Sequence, residues 1–220
     1  MKLGVVAALS HELGPTFQAV PTHPRPVEGL RFHDSNNLAF VASGIGSRRA
    51  AAAALLMADH FKVDGLVSVG FCGALTDELD AGDLVLGGTT AHPATPSLLD
   101  LAKTCGPKPR LGSVLTVSKV VVDAAEKKDL AQRSGALVID MEADAVAVAA
   151  GARGLGFLAV KVVIDTPADP LASTYSGCWT VALDLLKGSL LGMIHDSKRV
   201  KLAAGRLKDF FVAIEGNLAI

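Results

Sequence analysis

The chain reads as an α/β protein built on a mixed, largely parallel sheet. Three observations predict this. Apolar runs of strand length alternate with helical patterns along most of the sequence. The runs are nearly continuous in Val, Leu, Ile and Ala, as strands covered on both faces require. The segments between them are rich in Ala, which suits helices packed closely on such a sheet. The 220 residues, half of them hydrophobic, suffice for one sizeable core and are expected to form a single domain over 1–220.

The elements follow in order. Leu3 to Leu9 is a buried strand, and Ser10 opens a short helix toward Val20. Pro21 to Pro26 carries three prolines, which fix φ and remove donors, so a stiff loop is expected. Leu30 to Asp34 and Leu38 to Ser43 form a hairpin, and a long Ala-rich helix runs from Arg48 to His60. Gly65 to Val69 is a strand closed by a turn at Gly70-Phe71-Cys72-Gly73-Ala74. Leu84 to Thr89 is a strand, Ala91 to Pro109 a loop around a short helix, and Gly112 to Val117 another strand. Asp123 to Ser134 is a polar helix, Val138 to Asp140 a short strand, and Glu142 to Arg153 a helix. Phe157 to Ile164 is the last strand, and two or three helices are expected from Ser176 onward.

Composition narrows the function classes. A formal net charge of −1 provides no basic field for nucleic acid or acidic lipid. One Trp and one Tyr leave little for stacking on RNA bases. The three cysteines, Cys72, Cys105 and Cys178, form no CxxC, and the six histidines form no HExxH or HxH. Neither a disulfide framework nor a metal site is expected. No apolar stretch approaches the ~20 residues that span a bilayer. A cytoplasmic protein is expected, with contact at a membrane surface left open.

The chemistry gathers at three acids that end apolar runs. Glu142 follows Val138-Ile139-Asp140-Met141, and Asp165 ends Phe157 to Ile164. Glu12 follows the first run. In open α/β sheets, ligands bind at the carboxyl ends of strands. An ionised Glu142 offers two acceptor oxygens to vicinal hydroxyls, and Met141 offers a thioether to pack on a sugar face. Asp165 stands beside apolar residues, where desolvation raises a carboxyl pKa and suits it to hold a proton. Such acids also serve as helix caps or Asx turns, and that reading competes at each position.

Two glycine-bearing turns accompany the acids. Ser43-Gly44-Ile45-Gly46-Ser47-Arg48-Arg49 joins a strand to a helix, where backbone N–H groups and an arginine can meet a phosphate or ribose oxygen. Arg49 occupies the third glycine position of a dinucleotide fingerprint, which argues against a Rossmann oxidoreductase. Val69-Gly70-Phe71-Cys72-Gly73-Ala74 permits close backbone approach to a ligand.

MKLGVVAALSHEL, SGIGSRRA, VGFCGALTDELDAGDLVL, VIDMEADAVA and VKVVIDTPAD, in this order, resemble successive motifs of the nucleoside phosphorylase and nucleosidase family. The resemblance runs from Met1 to about Asp169. It implies a three-layer α/β/α sandwich around a mixed, partly barrel-like sheet. It makes Asp165 the group that protonates or hydrogen-bonds purine N7, with Glu12 as the second catalytic acid. Glu142 accepts the ribose hydroxyls with Met141 packed beside it, and Val120 and Val121 fall in the base-binding segment. Gly46, Arg48, Arg49, Phe71 and Gly73 surround the phosphate or nucleophile position. The implied reaction is dissociative cleavage of a purine N-glycosidic bond, with no cofactor and with inorganic phosphate as the one candidate co-substrate. A small-molecule nucleoside and a second copy of the chain, as a homodimer, are the implied partners.

Departures from the family pattern bear on the nucleophile. Ser68 stands where phosphorolytic hexamers carry an arginine, Phe71 replaces a small hydroxyl residue, and Ile164 replaces a serine. Water is therefore the expected nucleophile unless Arg48 or Arg49 supplies the missing charge. SGIGSRRA and AAEKKDLAQRSGALVIDMEADAVA most resemble the hopanoid-associated branch, which removes adenine from adenosylhopane. Phe71, the Pro21–Pro26 segment and the adjacent Phe210 and Phe211 would then line a greasy extension or touch a membrane. Methylthioadenosine/adenosylhomocysteine nucleosidase, futalosine hydrolase and a nucleoside-binding relative without turnover are the alternatives.

Overall fold

The computed structural model describes residues 1–106, 108–168 and 198–218. Asp169 and the helical segments expected between Ser176 and residue 197 lie outside the described residues.

β1 (Leu3–Ala7) is followed by α1 (Ser10–Ala19), β2 (His23–Val27), β3 (Leu30–Asp34), β4 (Leu38–Ala42) and α2 (Ser47–Phe61). β5 (Gly65–Ala74), β6 (Leu84–Gly87), α3 (Pro96–Lys103), β7 (Arg110–Leu111) and β8 (Val114–Thr116) come next. α4 (Ala124–Ser134), β9 (Val138–Asp140), α5 (Ala143–Ala152), β10 (Gly156–Asp165) and α6 (Lys198–Leu218) complete the described chain.

Among the described residues the ten strands form one mixed sheet, with the path β2-β3-β4-β1-β5-β10-β6-β7. Its centre is parallel: β1 pairs with β4 and β5, and β5 with β10. β3 and β6 run antiparallel to their central neighbours β4 and β10. β9 leaves this path, pairing antiparallel with the far end of β5 at Gly73 and Ala74 and parallel with β8. This second branch curls the sheet over the end where the three acids stand.

Side-chain alternation along β1 assigns the two faces. Val6 joins α2 and α5 through Ala50, Ala53, Met57, Val146 and Ala150. Leu3, Val5 and Ala7 point the other way, into a core shared with Leu13 of α1 and Leu207, Phe210 and Phe211 of α6. Both layers bury apolar faces at about 25 cal/mol per Å². The α/β/α arrangement expected of the sequence is thus present.

Several expectations need correction. The Pro21–Pro26 segment is not a loop throughout: His23 to Val27 forms β2 against β3. β2 lies at the sheet edge, where a proline that donates no hydrogen bond is tolerated. The expected turn at Gly70–Ala74 is the second half of β5, which continues through it to pair with β9. The aromatic pair of α6 lines no greasy extension. Phe210 and Phe211 are fully buried, and Phe211 packs edge-on to Phe40 at 5.3 Å. Among the described residues no helix is long and apolar enough to cross a membrane.

Candidate active site

The site forms where β1, β5, β9 and β10 end together. Glu12 sits in the first turn of α1, directly after β1, and is 3% exposed. Its Oε2 accepts from Leu9 N at 2.8 Å and its Oε1 from Phe71 N at 2.9 Å. Gly70 makes this approach possible. Its φ is +148°, and an added Cβ would stand 2.6 Å from Glu12 Oε1. Burial pushes the Glu12 carboxyl up to about 7, against the pull of the two N–H donors and the charge of Lys161.

Lys161 projects from the middle of β10 and is 1% exposed. Its Nζ pairs with Asp140 Oδ2 at 2.7 Å and donates to Ser68 Oγ at 3.0 Å. Burial works against its charge, but the carboxylates of Asp140, Glu142 and Glu12 outweigh that and raise its pKa. One ammonium therefore sits among three acids.

Asp140 and Glu142 divide the work at the start of α5. Asp140 accepts from Thr116 Oγ1 at 2.7 Å and from Ala143 N at 2.9 Å, fastening β8, β9 and the helix start together. Glu142 occupies the N-cap position without capping the helix. Its Oε1 instead accepts from Gly46 N at 2.7 Å, across to the loop before α2. Ser47 Oγ donates to Met141 O at 2.9 Å, so this loop is docked on both residues. Burial raises the Glu142 carboxyl, opposed by Lys161 and the Gly46 N–H.

Asp165 ends β10 opposite Gly73, and its carboxylate pairs with the buried ammonium of Lys127 from α4. Burial raises its pKa, with Lys127 and then Arg199 pulling it back. The remaining sequence-designated residues are spread around this centre. Phe71 is half-buried, its ring 5.7 Å from that of His11. Arg48 and Arg49 are exposed on the first turn of α2, and Arg49 lies beside Gly44. Val121 is buried with Leu75, Ala136 and Ile139, whereas Val120 is exposed.

Sequence reasoning brought Glu12, Glu142, Met141, Gly46, Phe71, Gly73 and Asp165 to one end of the sheet, and the structure places them there. It missed Lys161 and Lys127. Lys161 carried a signal: a single charge inside an eight-residue apolar run must be paired when buried. Lys127 carried none, because α4 is polar and only tertiary packing shows which of its cations turns inward.

A mixed sheet with carboxylates at the carboxyl ends of its central strands puts the chain in the class of open-sheet α/β proteins, whose ligands bind at those strand ends. The family model described as Phosphorylase superfamily matches residues 2–92 and 86–182, so this chain belongs to that superfamily. Its curated relatives include a 5'-methylthioadenosine/S-adenosylhomocysteine nucleosidase of Listeria monocytogenes, 25% identical over 131 residues. That match covers 57% of this chain and 56% of the relative, so the likeness spans only about half of either. The enzyme of the same name from Colwellia psychrerythraea is 33% identical over 92 residues, 39% of this chain and 37% of that one.

Solved structures extend the likeness to the whole fold. The Colwellia psychrerythraea nucleosidase in complex with adenine superposes with a TM-score of 0.79 at 19% identity, covering 99% of this chain and 96% of that one. The native futalosine hydrolase of Helicobacter pylori gives 0.74 at 19% identity, covering 96% and 97%. At such identity the likeness is one of fold.

Proposed function

We propose that this protein cleaves the N-glycosidic bond of a purine nucleoside with water, releasing the free base. One observation carries the reading. Glu12 and Glu142, bridged electrostatically by Lys161, stand beside Asp165 at neighbouring strand ends, and burial raises the pKa of all three acids. A ligand that needs a proton donor, a hydroxyl acceptor and a base within one small site is met by such a set.

The roles follow from the environments. Asp165, supported by Lys127, delivers a proton to purine N7 as the C–N bond breaks. Glu142, ionised beside Lys161, accepts the ribose hydroxyls, whose binding strengthens as the ring gains cation character. Glu12, poised near 7, takes a proton from the attacking water. Val121 and Val120 belong to the loop that reaches the base, and Met141 packs on the sugar. The nucleosidase and futalosine hydrolase relatives support an adenine or related purine nucleoside as substrate. The finer reading takes adenosylhopane as the substrate of a homodimer; the SGIGSRRA and AAEKKDLAQRSGALVIDMEADAVA motifs and the bulk of Phe71 support the substrate.

The test is an ultraviolet assay for released base with methylthioadenosine, adenosylhomocysteine, futalosine, inosine and adenosines bearing 5′-alkyl groups of rising length. Release of base supports the activity. A kcat/KM that rises with alkyl length supports the hopanoid reading, and a flat or falling trend removes it. Tight nucleoside binding without release would make the protein a binder instead.

A further inference from the structure

Lys127 is fully buried, and no role in proton transfer has been assigned to it beyond support of Asp165. Local structure aims it inward. Asp123 caps α4, its side chain accepting from Glu126 N at 2.7 Å, and Lys127 is the next residue of that first turn. Its ammonium then meets the carboxylate of Asp165. Gly73 makes room for both. A Cβ there would stand 2.9 Å from Asp165 Oδ1 and 3.4 Å from Lys127 Nζ. Among the described residues, the other titratable or charged groups that face the pair are Arg199 of α6 and Cys72 of β5. Burial keeps the Cys72 thiol protonated, so it adds no charge.

This arrangement sets a chemical problem. A carboxylate paired with an ammonium is ionised and holds no proton of its own to give. The proton of the pair resides on Lys127.

We infer that Lys127 is the positioning residue that stores, on its ammonium, the proton that Asp165 hands to the purine. The inference rests on the nucleosidase reading. When the base docks and excludes water, Lys127 passes one proton to the carboxylate, leaving a neutral amine and a neutral carboxyl group. As the C–N bond breaks, its electron pair goes to the purine, and the carboxyl group donates that proton to N7. Asp165 is again a carboxylate, and the base leaves neutral. Lys127 recovers its proton from solvent once the site opens.

The experiment measures kcat and KM across pH for wild type, Lys127→Arg, Lys127→Gln, Asp165→Asn and the Lys127→Gln/Asp165→Asn double variant. Arginine keeps the ion pair but does not surrender its proton at accessible pH. Both Lys127 variants are expected to lose about 100-fold or more in kcat with KM changed no more than about threefold. In Lys127→Gln the proton sits on Asp165 alone, so the alkaline limb of kcat moves to lower pH. The double variant falls no further than Asp165→Asn, because the two residues act as one. Wild-type kcat and pH profile in Lys127→Arg would overturn the inference, as would a loss in Lys127→Gln that is uniform in pH and additive with Asp165→Asn. If wild type releases base but the Lys127 variants do so equally, only this inference fails. If wild type releases base from no nucleoside, the nucleosidase reading fails and takes it along.

Discussion

Lys161 Nζ lies 2.7 Å from Asp140 Oδ2, and both side chains are almost wholly out of water. The pair joins the middle of β10 to the end of β9, and through Asp140 to Thr116 and the first turn of α5. It also places a positive charge under Glu142 and Glu12. Removing one partner strands the other in a low-dielectric interior. Lys161→Met is therefore expected to destabilise the fold by about 3–5 kcal/mol. The Lys161→Met/Asp140→Leu double variant is expected to lose less than the single, since no bare charge remains. Urea unfolding of the three proteins checks this, and a double variant less stable than Lys161→Met would contradict it.

Glu12 ties stability and activity to the same titration. Its folded pKa of about 7 lies above the ordinary value of 4.5, so burial favours the neutral form. That group's contribution to stability is complete below about 4.5 and is lost as pH rises through 7. At about 1.36 kcal/mol per unit, the loss amounts to no more than about 3.4 kcal/mol. Glu12→Gln, which stays neutral, is expected to flatten this decline. The urea midpoint of wild type relative to the variant, followed from about pH 5 to about pH 8, reads the effect directly. Catalysis has the opposite sign. A base must be ionised to accept a proton, so kcat/KM is expected to rise through about pH 7, and that rise should vanish with Glu12→Gln.

Much of the architecture was legible because buried parallel strands are nearly pure apolar runs. β1, β4, β6, β9 and β10 fall on the runs that foretold them. β2 was hidden because its prolines read as a loop, and only its position at the sheet edge makes them compatible with a strand. The second half of β5 was hidden because Gly70 and Gly73 look like a turn. They are there so that Glu12 and Asp165 can press against the strand. Phe210 and Phe211 looked available for a ligand or a membrane, yet an aromatic pair in a helix faces the core when a partner such as Phe40 is waiting there. The acids at strand ends were legible one by one. Their cationic partners were not, since Lys127 is set by a three-dimensional contact with Asp165 that no local pattern encodes.

Glu142 is the acid whose role is most separable from folding. It does not cap α5, a task left to Asp140, and its carboxylate accepts across the site from Gly46 N. Glu142→Gln keeps an acceptor for that N–H but removes the charge that hydroxyl donors would meet. Hydrogen bonds to a charged acceptor are worth roughly 1.5–3 kcal/mol each, so kcat/KM on ribonucleosides is expected to fall at least about tenfold. On 2′-deoxynucleosides the fall should be smaller, because one of the donors is already missing. Equal losses on both substrate types would remove Glu142 from the sugar site.

The nucleophile is decided by charge. A phosphate ion entering between Glu12 and Glu142 would meet Lys161, but that ammonium is already matched by Asp140 at 2.7 Å. Glu142 and Glu12, half ionised near neutrality, bring two further acids to an ammonium already matched by Asp140, so the immediate surroundings lean to negative charge. Each uncompensated like charge at about 4 Å opposes an anion by roughly 4 kcal/mol at an effective dielectric near 20. Ser68, whose hydroxyl accepts from Lys161, adds no charge to offset this. Arg48 and Arg49 stand exposed on α2, where solvent screens them. Water, being neutral, meets no such opposition, and in the proposed roles Glu12 is the base that takes its proton. Base release is therefore expected to proceed at the same rate with and without phosphate, with the free sugar as product, and Arg49→Ala should leave the rate within about twofold, as for a screened surface charge. A strict phosphate requirement that disappears on Arg49→Ala would place the arginine in the site and make the enzyme a phosphorylase.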